Sequence, residues 1–114
     1  MTLKLTPELL RAAYDLLGET EPFKRWNLPD SDEIRFRVYR STDYGLFQTD
    51  GPDMTISASE KMIGHFVTLL STIAHEKIHV YQHVTGMPMD HGAGFKKLAA
   101  EVCRHHRDFD PKNF

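Results

Sequence analysis

Apolar side chains near the start of the chain recur with the spacing of a helix. Thr6 is a typical N-cap residue, and Pro7 suits the first helical position, where its missing amide hydrogen is not needed. Gly18 supplies a stop, so the pattern predicts a first helix. Its apolar stripe consists of Leu9, Leu10, Ala13, Leu16 and Leu17. Residues 19–32 then predict a loop or short helical turn. The large apolar residues expected to fix it to the core are Phe23, Trp26 and Leu28.

The middle of the chain changes to the period of a β-strand. Ile34, Phe36 and Val38 alternate with polar side chains, which is the pattern of a half-buried strand. Residues 43–49 form a second candidate strand, weakened by a glycine inside it. An Asp-Gly-Pro-Asp turn leads to a third candidate, residues 54–57, which again alternates between apolar and polar positions. The pattern predicts three short strands.

The helical period returns at Ser57, because Ser57-Ala58-Ser59-Glu60 has the form of a capping box. A long helix is therefore predicted to begin there and to end at Gly86, although Gly64 inside it disfavours one straight helix. Its apolar positions are Ile63, Phe66, Val67, Leu70, Ile73, Ala74 and Ile78. Asp90 can cap a last helix. The apolar positions of that helix are Phe95, Leu98, Ala99 and Val102.

This order of elements predicts a small α+β fold in which residues 1–114 form a single domain. The expected parts are an N-terminal helix, a short three-stranded antiparallel or mixed sheet, a long helix and a C-terminal helix. A chain of 114 residues can bury a core without cross-links. Its 40% hydrophobic and 26% charged residues are ordinary for a soluble globular protein.

Charge and cysteine content narrow the classes of function. The formal net charge of −2 argues against binding nucleic acid through bulk positive charge. The single cysteine, Cys103, can form neither an internal disulfide nor a CxxC zinc ribbon, which favours a reducing compartment. The sequence lacks the apolar run of a signal peptide or a membrane span, so no membrane contact and a cytoplasmic location are expected.

The long helix carries the motif His75-Glu76-Lys77-Ile78-His79. Residues four apart on a helix share one face, with Cβ atoms about 5–6 Å apart, so His75 and His79 can bind one Zn²⁺. Glu76 lies beside this pair and can accept a proton from a water molecule on the metal, as a general base. The expected reaction is hydrolysis, with a peptide bond as the expected target.

A catalytic zinc site needs a third protein ligand, and three residues are candidates. His83 lies about 12 Å along the helix axis from His75, too far to share a metal, so it is expected at the rim. Glu101 lies on the last helix at a separation that some zinc hydrolases use. His91 opens the segment "HGAGF", whose two glycines allow the last helix to approach closely. This geometry favours His91 over Glu101.

The two motifs together resemble those of the SprT-like (Spartan-type) zinc metallopeptidases. The stretch "HEKIHVYQ" followed by "HGAGFKKLAAEV" has that family's pattern, and "YGLFQ…MTISAS" is similar to its strand pair before the active-site helix. The resemblance covers Tyr44 to His106. It implies a zincin-like fold and a zinc metalloendopeptidase that acts on protein or peptide substrates. One Zn²⁺ per chain would be held by His75, His79 and His91, with Glu76 as the general base.

The sequence departs from that family at two points. Lys77 stands where the family usually has an apolar residue, which raises the question of how this helix face packs. Many members also carry a cysteine-rich zinc ribbon or a longer DNA-binding tail. This chain resembles the catalytic core alone.

Basic side chains suggest weak contact with DNA, although such residues more often form a solvated face. They are Arg35, Arg37, Lys96, Lys97, Arg104 and Arg107. An alternative function is therefore a catalytically silent, zinc-stabilised module that binds DNA or protein. Glu76 argues against it, because a purely structural zinc site needs no base. A third alternative is a metal-free helical interaction domain.

Two features of substrate binding complete the expectations. The strand before the long helix, residues 53–57, is expected at the sheet edge, where its main chain can pair with an extended substrate. Hydrolysis of a peptide also needs a donor for the developing oxyanion, and the sequence leaves that role open. The candidate donors are Tyr39, Tyr44, Tyr81 and His83.

Overall fold

The computed structural model describes residues 3–114 and contains a three-stranded sheet against which helices pack. The helices and strands are α1 (Pro7–Gly18), β1 (Ile34–Tyr39), β2 (Gly45–Asp50), β3 (Asp53–Ser59), α2 (Phe66–Thr85) and α3 (Ala93–His105). Short 3₁₀ turns occupy Phe23–Arg25, Ser31–Glu33 and Pro111–Asn113. The predicted order of one helix, three strands and two helices is confirmed.

Helix α1 begins as its sequence predicts. The Thr6 side chain accepts a hydrogen bond of 3.1 Å from the Leu9 amide, which satisfies one of the free donors of the first turn. Its buried face consists of Leu10, Ala13, Tyr14 and Leu17. Leu16 belongs to the predicted stripe but is 51% exposed, so the apolar face is narrower than expected. Phe23 in the following turn is buried against the core, with Trp26 and Leu28 packed beside it.

The sheet is mixed, with β3 in the middle. Strand β1 runs parallel to β3, pairing Ile34 with Met54. Strand β2 runs antiparallel to β3, pairing Gly45 with Ala58. The expectation that residues 53–57 lie at the edge is wrong, because both sides of β3 are occupied by neighbouring strands. The edges belong to β1 and β2.

The predicted start of the long helix at Ser57 is also wrong. Residues 57–59 continue β3, where Ser57 and Ala58 pair with strands on both sides and Ser59 pairs with Tyr39 of β1, so their main-chain groups are satisfied without a helix. Ser59 has a further role, since its hydroxyl donates to the Ser41 carbonyl at 2.6 Å and accepts from the Ser41 amide at 3.1 Å. Helix α2 begins at Phe66, after the N-cap His65, and Gly64 lies in the connection before it.

The end of α2 agrees with the sequence. Gly86 has a left-handed conformation with φ of 76°, which glycine adopts without steric cost and which commonly ends helices. The Met87 amide then donates to the Gln82 carbonyl at 2.8 Å and turns the chain back. The buried apolar residues of α2 are Leu69, Ile73, Ala74, Ile78 and Val80.

Helix α3 contacts α2, and its predicted apolar positions Phe95, Ala99 and Val102 are buried, with Leu98 half-buried. Its N-cap is Gly92 rather than the predicted Asp90. The Asp90 carboxylate instead accepts from the Gly92 amide at 3.0 Å, just before the helix, and so stabilises the turn that precedes it. Across residues 3–114, none of the helices combines the length and apolar character that a membrane crossing requires.

Candidate metal centre

Three imidazole rings converge where α2 meets the connection to α3. His75 and His79 lie one turn apart on α2, and His91 approaches them from the connection. The Nε2 atom of His91 is 3.1 Å from Nε2 of His75 and 3.1 Å from Nε2 of His79. The ligand atoms of all three lie within 4.8 Å of one another. The sequence-predicted residues are therefore brought together, and this group could hold a metal ion.

The geometry of the three nitrogens suits zinc. Two nitrogens bound to a tetrahedral Zn²⁺ at 2.0–2.1 Å are separated by about 3.3 Å, close to the 3.1 Å from His91 to each of the other two rings. Imidazole nitrogens are also favoured zinc ligands. Lone pairs that face each other at this distance repel unless a proton or a cation lies between them. The donor set and its spacing thus fit a zinc ion.

The structure also distinguishes His91 from the other candidates for the third ligand. Within residues 3–114, the group of converging ligand atoms contains His75, His79 and His91 but neither Glu101 nor His83. His83 is exposed, and its ring lies 5.9 Å from the Phe47 ring. This position at the rim agrees with the expectation for His83.

Burial keeps the helix ligands in the neutral form that metals require. It lowers the pKa of His75 to about 4, with a smaller contribution from His79 and His91. Burial also lowers the pKa of His79, although a hydrogen bond from its ring to Gln82 acts in the opposite direction. Phe95 supplies much of this apolar environment, with its ring centroid 4.8 Å from that of His75, 5.0 Å from His79 and 4.7 Å from His91.

Glu76 lies beside the cluster and is only 4% exposed. Burial raises the pKa of its carboxyl group to about 8. A pKa near neutrality suits a group that accepts and returns a proton, and a nearby divalent cation would lower it again. The carboxylate also lies against β2, because a β-carbon added to Gly45 would stand 2.9 Å from Glu76 Oε2.

A cleft of about 860 Å³ opens beside the cluster and reaches His75, Glu76 and His91. One wall comes from the start of β2 and the connection before it, and another from the first half of α2. The residues after α3 complete the cleft, with Phe114 close to the His75 ring at a centroid distance of 5.7 Å. Among the four candidate oxyanion donors, Tyr44 lines this cleft.

Lys77 lies on the face of α2 opposite the histidines, and its contacts explain how a lysine packs where an apolar residue is usual. Lys77 is 1% exposed, and its ammonium group donates to the Tyr14 carbonyl at 3.0 Å. The same nitrogen lies 3.5 Å from the centroid of the Tyr14 ring, a cation–π contact. The long aliphatic stem therefore packs as an apolar residue would, while the charged end finds a carbonyl and an aromatic face on α1.

Sequence reasoning missed two residues that contact the centre. Gln82 accepts a hydrogen bond from the His79 ring at 2.8 Å. Its position three residues after His79 could have indicated this contact, since residues three apart share a helix face. The sequence pattern indicates only that Gly45 weakens its strand. A glycine inside a strand also marks a close approach, here by α2.

The basic residues suggested for DNA contact are all exposed, namely Arg35, Arg37, Lys96, Lys97, Arg104 and Arg107. Arg35 lies 3.8 Å from the Asp53 carboxylate. This arrangement is compatible with a solvated face, and contact with DNA stays a prediction.

The fold and the histidine cluster define a zincin-like domain of the metallopeptidase type. Comparison with protein families agrees with this class, since the SprT-like family matches residues 14–113, nearly the whole chain. The chain belongs to the SprT-like family. No curated protein matches it.

Proposed function

We propose that the protein is a zinc-dependent metallopeptidase that hydrolyses peptide bonds with Glu76 as the general base. The observation that carries this proposal is the position of a buried carboxylate beside three converging imidazoles in an open cleft. A structural zinc site is usually closed by a fourth protein ligand. Three ligands with a base beside them favour catalysis.

The residues of the chain have distinct parts in this reaction. His75, His79 and His91 would hold the ion through their Nε2 atoms. When bound, zinc lowers the pKa of water and polarises the carbonyl group under attack. Glu76 would accept the proton of the attacking water and deliver it to the nitrogen of the leaving amine, so that the acid and base steps use one carboxylate. Its burial excludes bulk water from that proton.

The cleft also suits an extended peptide. Strand β2 takes the place that sequence analysis gave to residues 53–57, because β2 is an edge strand and Gly45 and Leu46 line the cleft. We propose that a substrate chain lies along this edge and pairs with its main chain. Tyr44, at the start of the same wall, is the proposed donor to the developing oxyanion. The single, buried Cys103 supports a reducing compartment, the cytoplasm in our proposal.

Replacing Glu76 by glutamine tests this function. The amide is isosteric but accepts no proton, so Glu76→Gln is expected to retain zinc and fold and to lose cleavage of a flexible protein such as casein. Glu101→Gln is the matched control on the neighbouring helix and should remain active. A Glu76→Gln enzyme as active as wild type would contradict the mechanism.

The same assay separates catalysis from the silent binding module. Casein cleavage by wild-type protein is measured with and without single-stranded DNA, and zinc content is determined in parallel. If the wild-type protein holds zinc but cleaves no casein under either condition, the result would favour the alternative function, a silent module that binds DNA or protein. Cleavage that rises with DNA would support a role for the exposed basic residues.

A further inference from the structure

Gln82 joins the two parts of the chain that supply the histidines. It is 0% exposed and lies three residues after His79, on the same face of α2. Its amide oxygen lies 2.8 Å from Nδ1 of His79. Its amide nitrogen lies 3.1 Å from the main-chain oxygen of Asp90, the residue before His91. One side chain therefore contacts a ligand of the helix and the connection that carries another.

The contact with Asp90 determines how the Gln82 amide is oriented. A carbonyl oxygen only accepts hydrogen bonds, so the NH₂ group of Gln82 must face Asp90 and its Oε1 must face His79. Since Oε1 also only accepts, the hydrogen of the neutral His79 ring resides on Nδ1. Nε2 is then left with a free lone pair, and this is the atom that lies 3.1 Å from Nε2 of His91.

The partners of the three rings differ. Over residues 3–114, His79 is the ring whose second nitrogen has a hydrogen-bond partner outside the cluster. The main chain of Gln82 takes part as well, because its carbonyl accepts from the Met87 amide at 2.8 Å just after the left-handed Gly86. The turn that brings His91 back to α2 is thus fixed to Gln82 at two points, through its carbonyl and through its side-chain amide.

We propose that Gln82 is a positioning residue of the metal centre, which fixes the tautomer of His79 and holds the connection that carries His91. This role rests on the proposed function in so far as the centre binds zinc. Outer partners of metal-bound histidines typically contribute 10–100-fold to metal affinity, because they orient the ring and raise its basicity. Gln82 would act on two ligands at once.

Four proteins test this role: wild type, Gln82→Leu, Gln82→Glu and Gln48→Leu. The chain contains two glutamines, Gln82 and Gln48. Gln48 is exposed on β2, so its replacement controls for the same chemical change. Zinc affinity is measured by competition with a chromophoric chelator. The ring nitrogens of His79 are observed by ¹⁵N NMR in metal-free protein at neutral pH, which reports the tautomer without any assay of catalysis.

The expected results follow from the two hydrogen bonds. Gln82→Leu loses both and should bind zinc about 10–100-fold more weakly, while Gln48→Leu matches wild type. Gln82→Glu keeps an oxygen for His79, and its negative charge makes that oxygen a stronger acceptor, so the tautomer should persist and the zinc affinity should lie closer to wild type than that of Gln82→Leu. Unchanged zinc affinity in Gln82→Leu, or a hydrogen on Nε2 of His79 in wild type, would overturn the role.

The outcomes also separate this role from the proposed function. If Gln82→Leu does not fold, Gln82→Glu and the wild-type spectrum decide, since a hydrogen on Nδ1 of His79 in both proteins supports the role. A hydrogen on Nε2 of His79 in Gln82→Glu would overturn the proposal. Zinc binding that depends on Gln82 without any peptide cleavage would overturn the proposed function alone. Wild-type protein that binds no zinc would overturn both.

Discussion

Gly45 and Glu76 approach each other so closely that the space between strand β2 and helix α2 has no room for a side chain. A β-carbon added to Gly45 would stand 2.9 Å from Oε2 of Glu76 and 2.7 Å from the Thr72 methyl group, distances that real β-carbon contacts essentially never show. The glycine thus allows the carboxylate to lie against the edge strand while facing the cleft.

Gly45→Ala is expected to displace the Glu76 carboxylate and to reduce peptide hydrolysis strongly with little loss of zinc. A shift of about 1 Å in a catalytic group can cost roughly 100-fold in rate. The measurements are kcat/KM for a peptide substrate and zinc content. Gly64→Ala is the matched control, since a β-carbon there meets nothing within 4 Å. Undiminished activity in Gly45→Ala would show that the close approach has no catalytic consequence.

Removing single ligands should distinguish His91 from Glu101. After dialysis against trace zinc, wild type and Glu101→Ala are expected to hold about one zinc per chain, because Glu101 lies outside the group of converging ligand atoms. His91→Ala should lose most of its zinc, since it removes one of three protein ligands. Zinc retained by His91→Ala and lost by Glu101→Ala would reverse the assignment.

Lys77→Met tests the buried ammonium group through the pH dependence of stability. Burial lowers the pKa of Lys77 from 10.5 to about 7, with nearby Asp15 acting in the opposite direction. Between these values the unfolded chain binds the proton that the folded protein lacks. Wild type should therefore gain stability relative to Lys77→Met as pH rises from 7 towards 10.

Urea unfolding at several pH values measures this difference. Methionine conserves the length of the buried stem, so the comparison isolates the amine. Lys97→Met, at an exposed position of α3, is the control and should follow wild type. A stability difference between wild type and Lys77→Met that does not vary with pH would contradict the shifted pKa. The Tyr14 carbonyl and ring would then stabilise the cation enough to offset burial.

Phe95→Ala should weaken both the fold and the metal centre. The Phe95 ring is 2% exposed and contacts all three histidine rings, so truncation leaves a cavity between α3 and the cluster. A loss of about 3–5 kcal/mol in the free energy of unfolding is expected for metal-free protein. Val84→Ala, at a position 46% exposed, should change it by less than about 0.5 kcal/mol. Equal losses in the two variants would count against this packing role.

Features that depend on near neighbours in the chain were predictable from the sequence. The cap of α1 by Thr6 and the left-handed end of α2 at Gly86 follow from residue types at fixed offsets. The pairing of His75 with His79 follows from the helical repeat in the same way. Each of these required only a few consecutive residues to be interpreted together.

Features that depend on distant segments were missed or misassigned. The capping-box pattern at Ser57 is a valid local signal, but residues 57–59 belong to β3 and pair with neighbouring strands, which no local pattern encodes. The position of β3 in the middle of the sheet is a tertiary outcome of the same kind. Gly92 and Gly94 made it possible to favour His91 over Glu101 as the third ligand from the sequence. The links from Gln82 to Asp90 and from Gly45 to Glu76 join segments whose approach only the folded chain reveals.

The two ends of strand β2 differ in their tolerance of change. At its start, Gly45 does not accept even a methyl group beside Glu76. The turn after its other end, which includes Gly51, is exposed, and the surroundings of Gly51 are empty within 4 Å. The two glycines are separated by about 20 Å of extended chain. For protein engineering, the turn at Gly51 is therefore the natural place to insert an affinity tag or a fluorescent reporter without disturbing the histidine centre.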